Sequence, residues 1–154
     1  MYKISTLFFS LIFFLPLAAP AQIPAVDAAR EYKEANSHQI LSDYFELLKI
    51  PNVAGDIENI KKNADFLISA FEKRGASMEL LTLPDKPNVP PVIYGEINTP
   101  GAKRTLILYV HYDGQPADPK NWTHAPWEPS LYSASMEENG RLIPFPDVGE
   151  PIDP

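Results

Sequence analysis

The sequence contains no cysteine. Disulfides and thiolate metal ligands are thereby excluded, and any metal ion would have to be held by His, Asp or Glu. Positive charge is scarce as well: 13 basic residues stand against 20 acidic ones, a net charge of -7. That balance argues against nucleic acid as a partner, because proteins that bind a phosphate backbone carry a basic footprint. Internal repeats and low-complexity tracts are also missing. What is present is globular in character, 45% hydrophobic and 11% aromatic over 154 residues, which suits about one domain with its own core. Proline is the one excess: its 17 residues are about twice the ordinary fraction, and most lie from Pro84 onward, so the second half is rich in loops.

The opening stretch, MYKISTLFFSLIFFLPLAAPAQ, is read before any folding argument. Lys3 precedes an apolar segment from Ile4 to about Leu17, and Ala19-Pro20-Ala21 offers a small-x-small cleavage pattern before Gln22. Residues 1–21 are therefore expected to be a signal peptide, and residues 22–154 the mature part. The alternative, an uncleaved anchor, is disfavoured because Pro16 and Pro20 break a run already short for a span of about 20 residues. A secreted or periplasmic location follows, with membrane contact only during translocation. Without cysteine in an oxidising compartment, the fold must rely on packing or metal.

In the mature part, Ile40, Leu41, Tyr44, Phe45, Leu47 and Leu48 recur at helical spacing and Pro51 stops the pattern. This predicts a helix from Asp27 to about Ile50, interrupted near Asn36-Ser37. A second helix can be capped by Asp56; Ile57, Ile60, Ala64, Leu67 and Phe71 share one face, and Lys73-Arg74-Gly75 suits its exit. Its other face, with Glu58, Lys61, Lys62, Asp65 and Glu72, reads as solvated charge. Three strand-like runs follow, SMELLTL, PVIYGEI and RTLILYV. Pro100-Gly101 suits a tight turn, so the second and third are expected to pair as antiparallel neighbours. From Leu106 to Val110 there is no polar alternation, the pattern of a strand covered on both faces. Helices followed by strands imply a layered α/β domain.

That last strand ends in His111, Tyr112 and Asp113, then breaks into Gly114 and Pro116. In open α/β sheets working sites lie beyond the carboxyl ends of strands. Residues two apart in extended chain point the same way, so His111 and Asp113 can face one pocket while Tyr112 turns to the other side. A neutral imidazole can ligate zinc, and a carboxylate on its other nitrogen fixes the ring and raises its basicity. Spacing by itself leaves a second reading open: the His-Asp bond merely finishes a sheet edge.

The flanking residues extend the pattern. The stretch LILYVHYDGQPADPKNWTHAPWEPSL resembles the first metal-site segment of the co-catalytic dinuclear zinc metallopeptidases, which include carnosine dipeptidase, glutamate carboxypeptidase, acetylornithine deacetylase and succinyl-diaminopimelate desuccinylase. HYDGQPADP is most similar to the dipeptidase branch, and IPNVAGDIENIKKNADFLISAFEKRG is similar to the opening helices of these enzymes, so the resemblance covers nearly all of residues 22–154. It implies the N-terminal part of a three-layer catalytic domain, two helices and then strands of a mixed sheet. It implies that His111 is a zinc ligand and that Asp113 supports the site and counts as catalytic. It further implies two zinc ions per complete site, with other divalent metals open, a bridging aspartate, a glutamate base that activates water toward a peptide carbonyl, and a small peptide substrate. The bridging aspartate and the smaller dimerisation domain would both come after Pro154, the latter implying a homodimer for the full-length protein. By itself this chain is expected to bind zinc weakly and to be inactive.

Other candidates are set aside. Glu137 and Glu138 superficially match the Glu-Glu pair of these enzymes but come too early, and Asn139-Gly140 is a two-residue hairpin signal, so the pair is expected at an exposed turn. His124 lies in a proline-rich loop with Trp122 and Trp127, and His38 lies in the first helix; neither has a ligand partner at motif spacing. Asn121-Trp122-Thr123 fits a glycosylation acceptor. Two other functions stay open: an N-acyl amino acid deacylase with the same metals, and a non-catalytic exported module that binds through Trp122 and Trp127.

Overall fold

The computed structural model describes residues 24–148, so the expected signal peptide, residues 1–21, lies outside the described residues. The chain divides into two units, residues 1–35 and 36–154. In the first, Pro24 and the opening of helix α1 are described; the carbonyl of Pro24 accepts from the amides of Asp27 and Ala28. Helix α1 spans Ala25–Leu48 without the interruption expected near Asn36, since no proline or glycine falls inside it. No described helix is long and apolar enough to cross a membrane.

The second unit is built on helix α2, Ile57–Glu72. It starts where the sequence places its start: the Asp56 carboxylate accepts from the Asn59 amide at 3.2 Å and from the Asn59 side chain at 2.7 Å. The exit runs through Lys73 to Gly75, whose φ of 86° is a left-handed value that glycine adopts without a Cβ penalty. The inward face buries Ile60 and Ala64 completely, while Phe71 at its end stays about half exposed. Asn63 is buried beside them at 2% exposure, and its amide donates to the carbonyls of Pro51 at 2.8 Å and Asn59 at 2.9 Å. Arg74 pairs with Asp43 of α1 at 2.9 Å.

Strands β1 (Ser77–Leu81) and β2 (Val92–Glu96) form an antiparallel hairpin that contacts α2, with Ser77 opposite Glu96 and Leu81 opposite Val92. A second antiparallel pair joins β3 (Leu131–Tyr132) to β4 (Leu142–Ile143). Beyond β4, Phe145 packs edge-on against Phe45 of α1 at 5.0 Å between ring centres, and the Pro146 carbonyl lies 3.0 Å from His38 Nε2. Two helices followed by strands in small sheets is the α/β order expected, but the pairing differs. The first run pairs with the second, and the third joins no strand. The expected turn does form, with Gly101 at φ 79° and the Ala102 amide donating to Thr99. After it, however, the chain does not return along β2. Residues Leu106, Ile107, Leu108, Tyr109 and Val110 are 80–84% exposed, so the double cover that their apolarity anticipates is not supplied by the described residues.

Candidate metal centre

The segment becomes anchored where its composition changes. Tyr112 turns to the covered side and is half-buried, while His111 and Asp113 face outward, the alternation of an extended chain. On the outward side the His111 Nδ1 and the Asp113 Oδ1 are 3.1 Å apart. The other ring nitrogen, Nε2, lies 3.3 Å from the Tyr109 hydroxyl, and the Tyr109 and His111 rings meet edge to face at 5.4 Å. One tautomer satisfies both contacts. A carboxylate can only accept, so Nδ1 carries the proton; Nε2 is then a bare acceptor, and the tyrosine hydroxyl donates to it.

The chemistry of this pair suits one position in the coordination shell of a metal ion. An imidazole whose Nδ1–H is held by a carboxylate presents its Nε2 lone pair outward, the arrangement that orients a zinc-ligating histidine. The His111 side chain is 71% exposed, so a cation can reach it. The pair supplies one ligand and its supporter, whereas a catalytic zinc takes three protein ligands. Among the described residues no group of three or more His, Asp or Glu could hold a metal ion.

Two struts fix the backbone under the pair. Residues 52–54, leading into α2, lie alongside Gly114 as a parallel bridge: the Gly114 amide donates to the Asn52 carbonyl at 2.7 Å, and the Ala54 amide to the Gly114 carbonyl at 3.0 Å. The Asn52 side-chain amide adds a bond to the Tyr112 carbonyl at 3.3 Å. From the other side, the Tyr112 hydroxyl donates to the Pro91 carbonyl just before β2. Burial of that hydroxyl, followed by the negative charge of Asp113, raises the Tyr112 pKa above its ordinary value. Nothing in the local sequence announces Asn52, because its partners lie 60 residues away and the bonds it makes are mostly to backbone.

The remaining candidates are placed elsewhere. Glu137 and Glu138 belong to a short 3-10 turn, Met136–Glu138, at the exposed tip joining β3 to β4. The tip is longer than a two-residue hairpin: Asn139 takes the left-handed conformation, with φ 60°, and the Gly140 amide folds back to the Ser135 carbonyl. His124 bonds the Tyr132 hydroxyl at 2.5 Å and His38 bonds the Pro146 carbonyl, so each has a packing role. Asn121 is exposed at the end of a 3-10 turn, Pro119–Asn121. A hollow between α1 and α2, floored by Leu47, Phe66 and Ala70, is bordered by neither His111 nor Asp113.

No family model matches the chain. The chain is similar to the Cys-Gly metallodipeptidase dug1 of Schizosaccharomyces pombe, 25% identical over 129 residues in a match that covers 77% of this chain and 26% of that protein. Among solved structures it superposes on the di-peptidase Dug1p from Saccharomyces cerevisiae with a TM-score of 0.60 and 21% identity, covering 74% of this chain and 26% of that one. The structural likeness shows the fold, an α/β arrangement of two helices followed by strands. The sequence likeness supports the broad metallodipeptidase class and does not select a branch within it. The chain spans about a quarter of the length of the curated relative it matches.

Proposed function

We propose that this chain is the amino-terminal part of an exported dinuclear zinc metallopeptidase that hydrolyses dipeptides or short peptides with metal-activated water. His111 is one metal ligand in this reading, and Asp113 is the carboxylate that holds it. The observation that carries the reading is the 3.1 Å contact between His111 Nδ1 and Asp113 Oδ1 on an accessible surface at the end of an apolar run. Likeness to the Cys-Gly metallodipeptidase dug1 of Schizosaccharomyces pombe supports the class.

When bound, the metal supplies Lewis acidity toward the scissile carbonyl and lowers the pKa of a bound water. The work of this chain's own residues is to orient. Asp113 accepts a hydrogen bond from Nδ1–H, which fixes the ring and leaves the Nε2 lone pair as the one that can coordinate. The Tyr109 hydroxyl donates to that same nitrogen, so coordination there would require it to move aside. The ligands and the general base still required come, in this proposal, from sequence following Pro154, and the export signal at residues 1–21 places the enzyme in a periplasm or beyond.

The test uses a protein that carries this chain together with the sequence that follows it. About two zinc ions per chain and hydrolysis of dipeptides are expected. His111→Ala abolishes turnover, and Asp113→Ala lowers metal affinity or activity by about 10–100-fold. The 154-residue chain alone is expected to hydrolyse no dipeptide. Robust turnover by that chain, or full activity in His111→Ala, overturns the reading. Preference for N-acyl amino acids over dipeptides would move the protein to a deacylase, and absence of bound zinc would make it a non-catalytic exported module.

A further inference from the structure

We infer that Asn52 is a positioning residue for the His111–Asp113 pair. The inference rests on the metal-site reading just given and adds to it a residue that lies far away in sequence.

Before the pair, residues 102–111 belong to no strand, and the side chains from Leu106 to Val110 are about four-fifths exposed. Tyr112 and Gly114 are where the segment is tied down, and they bracket Asp113. The Tyr112 carbonyl accepts from the Asn52 side chain, and both the amide and the carbonyl of Gly114 are bonded to residues 52–54. With the peptide units on either side of Asp113 fixed, the direction of its Cα–Cβ bond is fixed too. The carboxylate then sets the imidazole through the Nδ1 contact. In this strap Asn52 contributes a side chain as well as its backbone, and the bond to Tyr112 is the part a substitution can remove. The strap is itself held from below, since buried Asn63 of α2 donates to the carbonyl of Pro51, next to Asn52.

Gly114 gives the same conclusion from the opposite direction. A Cβ at this position would lie 2.9 Å from Asn52 Oδ1 and 3.2 Å from its Cγ and Nδ2. No positive φ requires glycine here. What requires it is the space taken by the Asn52 amide. Gly114→Ala should therefore act by pushing that amide off the Tyr112 carbonyl, and should do little where the amide is already gone.

The test reads the ring itself, with no metal and no substrate. Long-range proton–nitrogen NMR of the 154-residue chain, at a pH where imidazole is neutral, reports which nitrogen of each histidine carries the proton. His111 is expected as the Nδ1–H form. In Asn52→Ala it loses that preference and shifts toward the Nε2–H form, in Gly114→Ala it shifts the same way, and in the double variant it shifts no further than in either single one. His124, bonded to Tyr132 well away in sequence, is the internal control and keeps its wild-type signals, which separates loss of positioning from loss of folding. The inference is overturned if Asn52→Ala leaves His111 in its wild-type form, if the two substitutions add, or if His124 changes along with His111. Zinc counting on the longer protein is independent of this readout: coupled tautomer shifts without bound zinc sustain the positioning and sink the peptidase reading, whereas bound zinc with an unmoved tautomer does the reverse.

Discussion

Helix α2 and the run from Leu106 to Val110 are both apolar along one stretch, yet the chain treats them in opposite ways. In α2 the apolar positions fall on one face, Ile60 and Ala64 are fully buried, and both ends are closed by capping residues. From Leu106 to Val110 the apolar side chains are consecutive, and each is at least 80% exposed. A helix satisfies its backbone within itself, so its packing can be completed by a nearby hairpin and strap. A strand satisfies neither its backbone nor its two faces without neighbours, and five exposed apolar residues in a row are a demand for cover. The matched stretch makes up 26% of the length of the proteins this chain is similar to.

The largest effect that tests this contrast is on stability. Ile60→Ala, at a fully buried site, is expected to lower the unfolding free energy of the 154-residue chain by about 2–5 kcal/mol, measured by urea denaturation of the helical signal. Leu108→Ala, at 81% exposure, should change it by no more than about 0.5 kcal/mol. Leu108→Lys should reduce self-association, read by light scattering, because a charge in an exposed apolar run discourages its pairing with another copy. Equal costs for Ile60→Ala and Leu108→Ala would show that the segment is covered in solution and would erase the contrast.

The same two regions show which features can be read from sequence. Both ends of α2 were legible because their signals are local: Asp56 lies three residues from the Asn59 amide it accepts from, and Gly75 supplies the left-handed exit. The proximity of His111 and Asp113 was legible for a similar reason, since extended chain brings residues two apart to one side. Strand pairing was not. The Pro100-Gly101 turn pointed to β2 pairing with the following run, but a turn fixes only a change of direction, whereas β1 and β2 gain a shared surface on α2. The strap at Asn52 was invisible, because a side-chain bond to a carbonyl 60 residues away leaves no periodic trace.

A smaller effect is expected at the junction between the two regions. Asn63→Ala removes the donor to the half-buried Pro51 carbonyl, at a cost of about 0.5–1.5 kcal/mol. Asn63→Asp should cost more, because it turns a carboxylate toward two carbonyls that need a donor. If the strap carries order from α2 to the candidate site, amide exchange at Gly114 should quicken in Asn63→Ala while exchange within β3 and β4 stays as it was. Uniform quickening would mean that Asn63 supports the whole unit and has no special link to the strap.

The smallest expected effect concerns the amino end of α2 and depends on pH. Hydrogen bonds from the side chain and then the backbone of Asn59 hold the Asp56 pKa below its ordinary value of 3.8. A carboxyl whose pKa is depressed in the folded chain stabilises fully above its unfolded-state value and loses that contribution as pH falls through the folded-state value. The wild-type thermal midpoint should therefore contain a component that disappears on acidification below 3.8. Asp56→Asn keeps an oxygen that can accept from the Asn59 amide but has no proton to gain in that window, so its midpoint should fall less over the same range. Leu106 to Val110 contain no titrating carboxylate, so substitutions there should leave this difference between the Asp and Asn forms untouched. A shift of the acid component by Leu108→Ala would mean that the exposed run and the capped helix unfold as one body, which the 81% exposure of that leucine does not support.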